Sequence, residues 1–75
     1  MKVHNFSIII EKDKDGYFAF CPKLQGCYSQ GDTYEEAMEN IKDAVKLHME
    51  DIIQSKESLP NKIDSISLST IEVAV

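Results

Sequence analysis

The chain has 75 residues, 13 of them acidic and 8 basic, and carries a formal net charge of −5. All the basic residues are Lys; Arg and Trp are absent. This length predicts one domain, residues 1–75, burying roughly 60–65% of the surface of its unfolded form. The charge excludes a phosphate-gripping nucleic-acid binder, which needs a basic face to release counterions.

Residues 2–11 are β-branched and aromatic, with Phe6, Ile8 and Ile10 on one face at period two, and predict a first strand. Lys12-Asp13-Lys14-Asp15-Gly16 is turn chemistry, with Gly16 placed for a positive φ. Residues 17–21 read as the return strand, stopped by Pro22, and residues 27–30 as a short third strand. Three strands in succession predict an antiparallel meander.

The period then changes. Thr33 and Glu36 form a Thr-x-x-Glu capping box, and Asp32, Glu35 and Glu36 complement the positive end of a helix dipole. Tyr34, Ala37, Met38, Ile41, Ala44, Val45, His48 and Ile52 recur at three- and four-residue steps. The spacing predicts a helix over 34–53, packed on one face of the sheet. Residues 54–61 are polar, contain Pro60 and read as a loop. Ile66 and Leu68 share one phase, and Ile71, Val73 and Val75 the other, so a last strand is expected at 71–75 after a looser approach through 65–70, the alternative being a bulge in one longer strand. Its place after a helix favours a right-handed crossover and parallel pairing. The fold class is α+β.

Chemistry is sparse. Asp13 and Asp15 lack the further oxygen ligands of a calcium loop, since position 24 is Leu. Cys21 and Cys27 are spaced too widely for a zinc half-site, even with His4 and His48 added. Cys27, between Gly26 and Tyr28, has no neighbour that would lower its pKa, and no phosphate-cradling glycine motif is present. No enzymatic activity, metal or cofactor is expected. No secretory signal or membrane span is visible, so the expected location is the cytoplasm, with reduced thiols.

A binding module is left. Tyr17 and Tyr28, with Tyr34, lie near turns that also hold Asp15, Asp32, Glu35 and Glu36. Tyrosines among acids suit a basic protein surface, charge steering the encounter and rings anchoring it. The alternative is that these tyrosines are edge-of-core residues with wet hydroxyls. Unpaired edges at the last and third strands predict a homo-oligomer, dimer or tetramer.

Three segments carry a resemblance: Asp15-Gly16-Tyr17; Pro22-Lys23-Leu24-Gln25-Gly26-Cys27; and Gly31-Asp32-Thr33-Tyr34-Glu35-Glu36-Ala37, continuing to Asn40-Ile41. Together they resemble the HicB family of antitoxins, closely over residues 6–53 and more loosely in the tail. The resemblance implies a partial RNase H-like fold, β-β-β-α-β, without nuclease activity. It also implies neutralisation of a HicA-like toxin, a small basic mRNA interferase, by covering its RNA-binding and catalytic face. Asp15, Tyr17, Tyr28, Asp32, Glu35 and Glu36 become candidate contacts. The motif residues also have structural roles: glycines at turns, Pro22 ending a strand, Thr33 and Glu36 capping. Many HicB proteins carry a carboxy-terminal DNA-binding domain; none is expected after residue 75, so direct nucleic-acid binding is not expected. A self-associating HicB-like domain without a toxin is the competing expectation.

Overall fold

A computed structural model describes residues 3–56 and 63–75. Three strands, β1 (Ile9–Asp13), β2 (Gly16–Phe20) and β3 (Tyr28–Gly31), form an antiparallel sheet in sequence order. One helix, α1 (Tyr34–Gln54), follows and packs on one sheet face. The expected α+β meander and helix are therefore present.

The β1–β2 hairpin closes around Lys14 and Asp15, with Asp13 paired to Gly16. The Asp13 side chain accepts the Asp15 backbone N–H at 2.8 Å, an Asx turn that fixes the corner. Gly16 has a φ of +136°, and a Cβ there would stand 2.9 Å from the carbonyl oxygen of Gly31. Both facts require glycine at this position.

β1 begins seven residues later than expected. Its pairing starts at Ile9 opposite Phe20, where β2 ends just before the Pro22 connection. Residues 3–8 therefore run past the end of β2 with no neighbour to bond. The predicted face is nonetheless correct, since Phe6, Ile8 and Ile10 all pack against the core.

The connection from β2 to β3 belongs to the core. Cys21 N–H donates to Cys27 O at 3.0 Å, Leu24 N–H to Cys21 O at 3.1 Å, and Cys27 N–H to Leu24 O at 3.2 Å. These bonds fold Leu24 under the sheet, where it joins Ala19, Cys21, Cys27, Ala37, Ile41, Met49 and Ile52 as buried side chains.

Thr33 caps α1, its Oγ1 accepting the Glu36 N–H at 3.0 Å. The Glu36 carboxylate accepts the N–H of Asp32, at 3.3 Å, in place of the Thr33 N–H that the capping box predicts. Asn40 donates from Nδ2 to Gln30 O at 2.8 Å and ties the helix to β3. The predicted stripe needs amendment at both ends. Tyr34 and Met38 are exposed, while Met49, outside the predicted stripe, is buried.

Two expectations in the tail meet different outcomes. The loop predicted at 54–61 falls largely on residues 57–62, outside those described. The final parallel strand at 71–75 is not formed in the single chain: residues 63–75 pair with no strand and are exposed throughout. A strand exists only beside a hydrogen-bonding neighbour, and alternating sequence alone does not supply one. Among the described residues, no helix is long and apolar enough to cross a membrane.

Candidate partner-binding surface

Sheet register divides the six candidate residues. Tyr17 pairs with Gly31, Phe18 with Gln30, and Phe20 with Tyr28. Side chains alternate along a strand, so Tyr17 and Ala19 face α1 whereas Phe18, Phe20 and Tyr28 share the uncovered face. Tyr17 and Tyr28 thus lie on opposite faces and cannot form one cluster.

Five of the six gather at one end of the molecule. The β1–β2 turn and the β3–α1 connection bring Asp15, Tyr17, Asp32 and Glu36 around a shallow depression of about 570 Å³, which Asp13 also lines. Glu35 sits beside it on the exposed first turn of α1. Tyr17 meets Tyr34 edge to face at 6.3 Å, and Lys12 places its ammonium 5.7 Å from the Tyr17 ring centre. Tyr17 is half-buried in this packing. Its role is therefore mixed, part core edge and part surface.

Tyr28 belongs to an aromatic row that the sequence reading missed. It stacks on Phe18 at 5.8 Å, and Phe18 tilts against Phe20 at 6.0 Å. Tyr28 is 62% and Phe18 40% exposed, on a face that α1 leaves uncovered. Alternation within residues 17–20 was the available signal, because Phe18 and Phe20 share a phase opposite to Tyr17 and Ala19.

The geometry suits binding more than chemistry. The carboxylates lie in an open depression, and among the described residues no three His, Cys, Asp or Glu side chains converge as metal ligands. Cys21 and Cys27 are buried free thiols. Burial first, and neighbouring Cys21 second, push the Cys27 thiol up from its ordinary value and disfavour the thiolate. A protonated, buried thiol is a poor nucleophile. Alkylation of Cys27 by iodoacetamide in the native chain should run at least about 100-fold slower than in denaturant, since reaction waits on local opening. Equal rates by mass spectrometry would contradict this burial.

Comparison with known proteins places this architecture. The family model described as HicB_like antitoxin of bacterial toxin-antitoxin system matches residues 6–72. A UPF0150 protein of Helicobacter pylori is 47% identical over 66 residues, covering 88% of this chain and 90% of that protein. Another UPF0150 protein, from Synechocystis sp., is 45% identical over 62 residues, covering 81% and 78%. Among solved structures, a chain of the HicA3 and HicB3 toxin-antitoxin complex superposes with a TM-score of 0.65 at 25% identity, covering 80% of this chain and 70% of that one. With the hairpin, the capped helix and the Gly-Asp-Thr junction all present, the chain belongs to the HicB-like antitoxin family of bacterial toxin-antitoxin systems.

Proposed function

We propose that this chain is the antitoxin of a HicA/HicB-type pair and neutralises a HicA-like toxin, a small basic mRNA interferase, by masking its RNA-binding and catalytic face. The observation that carries this reading is the fold match to a chain of a HicA3–HicB3 complex within a shared antitoxin family. The role is one of occlusion without catalysis and belongs in the cytoplasm, where mRNA is translated. Residues 1–75 act in it as a single domain with a partial RNase H-like plan.

Charge supports the choice of surface. A basic ribonuclease presents cations to phosphate, and the end formed by Asp13, Asp15, Asp32, Glu35 and Glu36 offers carboxylates in their place. The aromatic row of Phe18, Phe20 and Tyr28 is a second surface able to supply a buried anchor.

Reversing charge at Asp15 and Glu35 tests the acidic end without removing a cap, since neither side chain is hydrogen-bonded in the described contacts. The double variant D15K/E35K should weaken binding to a HicA-type toxin by about 10–100-fold at low salt, mainly through slower association. Titration calorimetry and co-expression growth rescue would measure it. Unchanged affinity would remove this end from the interface, and a Tyr28→Ala loss alone would shift it to the aromatic face. Absence of any complex or rescue with the genomically adjacent toxin would sink the antitoxin reading.

A second reading rests on a separate observation. The free edge of β1 and the exposed aliphatic tail are the features of a chain that self-associates. These features support a homo-oligomer, dimer or tetramer, as a reading that needs no toxin.

A further inference from the structure

We infer that residues 66–75 of a second copy complete the sheet, lying as a fourth strand along the free edge of β1, and that the two copies exchange these strands reciprocally. The inference deepens the homo-oligomer reading, on which it rests, and is independent of the toxin.

Three features of the single chain are complementary. First, among the described residues β1 bonds to β2 on one side only, and residues 3–8 leading into it have no strand on either side. Such an edge is a row of unpaired N–H and C=O groups. Second, an apolar groove of about 840 Å³ runs beside His4, Phe6 and Ile8, in the segment that leads into that edge. Phe6 and Ile8 form one wall; Met38, Ile41, Val45 and Met49 of α1 form the other. Third, the tail carries Ile66 and Leu68 in one strand phase and Ile71 and Val73 in the other, and holds them in water, with Leu68 90% and Ile71 81% exposed. No residue of 63–75 lines the groove. The edge lacks a strand, the groove lacks a filling, and the tail lacks a partner.

Surface area gives the scale of what is missing. The chain exposes 6615 Å². Folded monomers of its 8.5 kDa mass expose about 4,700 Å², so the excess is about 1,900 Å². A standard interface buries about 800 Å² per partner. The excess therefore exceeds what a stable dimer requires.

A second copy is the occupant because each chain holds its own tail away from its own groove. Reciprocal exchange closes under two-fold symmetry, fills both grooves and leaves no strand over for further chains. The phase change between Leu68 and Ile71 places Ile71 and Val73 toward one side and Ile66 and Leu68 toward the other unless a bulge intervenes.

The test uses the full chain. Light scattering should give twice 8.5 kDa. A dimer refolded from mixed isotope-labelled and unlabelled copies should show inter-copy nuclear Overhauser effects from Ile71 and Val73 methyls to Phe6, Ile8 and Val45. The variant I71D/V73D, which alters residues exposed in the single chain, should raise the dimer Kd at least about 100-fold while helical circular dichroism is retained. If that variant loses its helix, the wild-type inter-copy effects decide alone. Tail-to-groove contacts confined within one copy would overturn the exchange. A dimer lacking tail-to-groove contacts would overturn it too, but leave the homo-oligomer standing. A monomer would overturn both.

Discussion

Ile41→Ala should leave the chain predominantly unfolded or lower its melting temperature by at least about 10 °C. Ile41 is 1% exposed and is the largest fully buried side chain, at the centre of a core otherwise made of Ala, Cys, Leu, Met and one further Ile. Truncating a buried Ile costs about 2–5 kcal/mol through lost transfer energy and the residual cavity. A single core of this size supplies about 3–5 kcal/mol in total, so one substitution consumes most of it. Leu47→Ala is the control: at 67% exposed it should change stability by no more than about 0.5 kcal/mol. Thermal and urea melts followed by helical circular dichroism compare the two. A melting temperature for Ile41→Ala within a few degrees of wild type would mean that the core lies elsewhere. If the chain dimerises through its tails, protein concentration must be matched, because association adds to apparent stability.

How much of this could be read beforehand depended on whether a signal was local. The Thr33–Glu36 cap and the three- and four-residue spacing locate α1 because both are properties of one helix. Asp15-Gly16 likewise locates the first hairpin. Strand extent is different, since a strand is defined by its neighbour. Residues 3–8 and 71–75 have strand composition but pair with no strand among the described residues. The helical stripe shifted for a related reason. A 21-residue helix is about 31 Å long, whereas a five-residue strand spans about 17 Å, so α1 overhangs the sheet. Its far half lies across from the Phe6–Ile8 approach instead, and there Met49 and Ile52 are buried.

The candidate surface was legible in part. Turn chemistry correctly brought Asp15, Asp32 and Glu36 together, because both turns lie at one end of the meander. It could not assign faces. Whether Tyr28 joins Tyr17 or Phe18 depends on the register between β2 and β3, which the hydrogen bonds of the 21–27 loop set. A one-residue slip there would exchange the two faces. The same register separates an acidic end from an aromatic face, and so gives two candidate surfaces rather than one.

Gly31→Ala should destabilise the chain by about 2–3 kcal/mol, nearly as much as an Ile41 truncation, although it adds a single methyl group. Gly31 ends β3 where the chain turns into α1. A Cβ built there would stand 2.5 Å from the Ala37 nitrogen, 2.9 Å from the Glu36 carbonyl carbon and 3.0 Å from the Ala37 Cα. All three are backbone atoms of the first helical turn, so no side chain can rotate aside. The turn itself cannot retreat cheaply: Thr33 caps it, Ala37 is fully buried, and Asn40 bonds to Gln30. Lifting α1 to accept the methyl would open the contact between helix and β3. Urea melts of Gly31→Ala and wild type measure the cost, and an unchanged midpoint would disprove the close approach. The substitution also separates fold from contact within the Gly-Asp-Thr motif. Toxin affinity of the Gly31→Ala chain should fall only in proportion to its unfolded fraction and return when stability is restored by cooling or osmolyte. Affinity of D15K/E35K should fall with the fold intact and should respond to salt. If Gly31→Ala instead lost binding while fully folded, the motif's glycine would belong to the toxin interface as well as to the helix–strand junction.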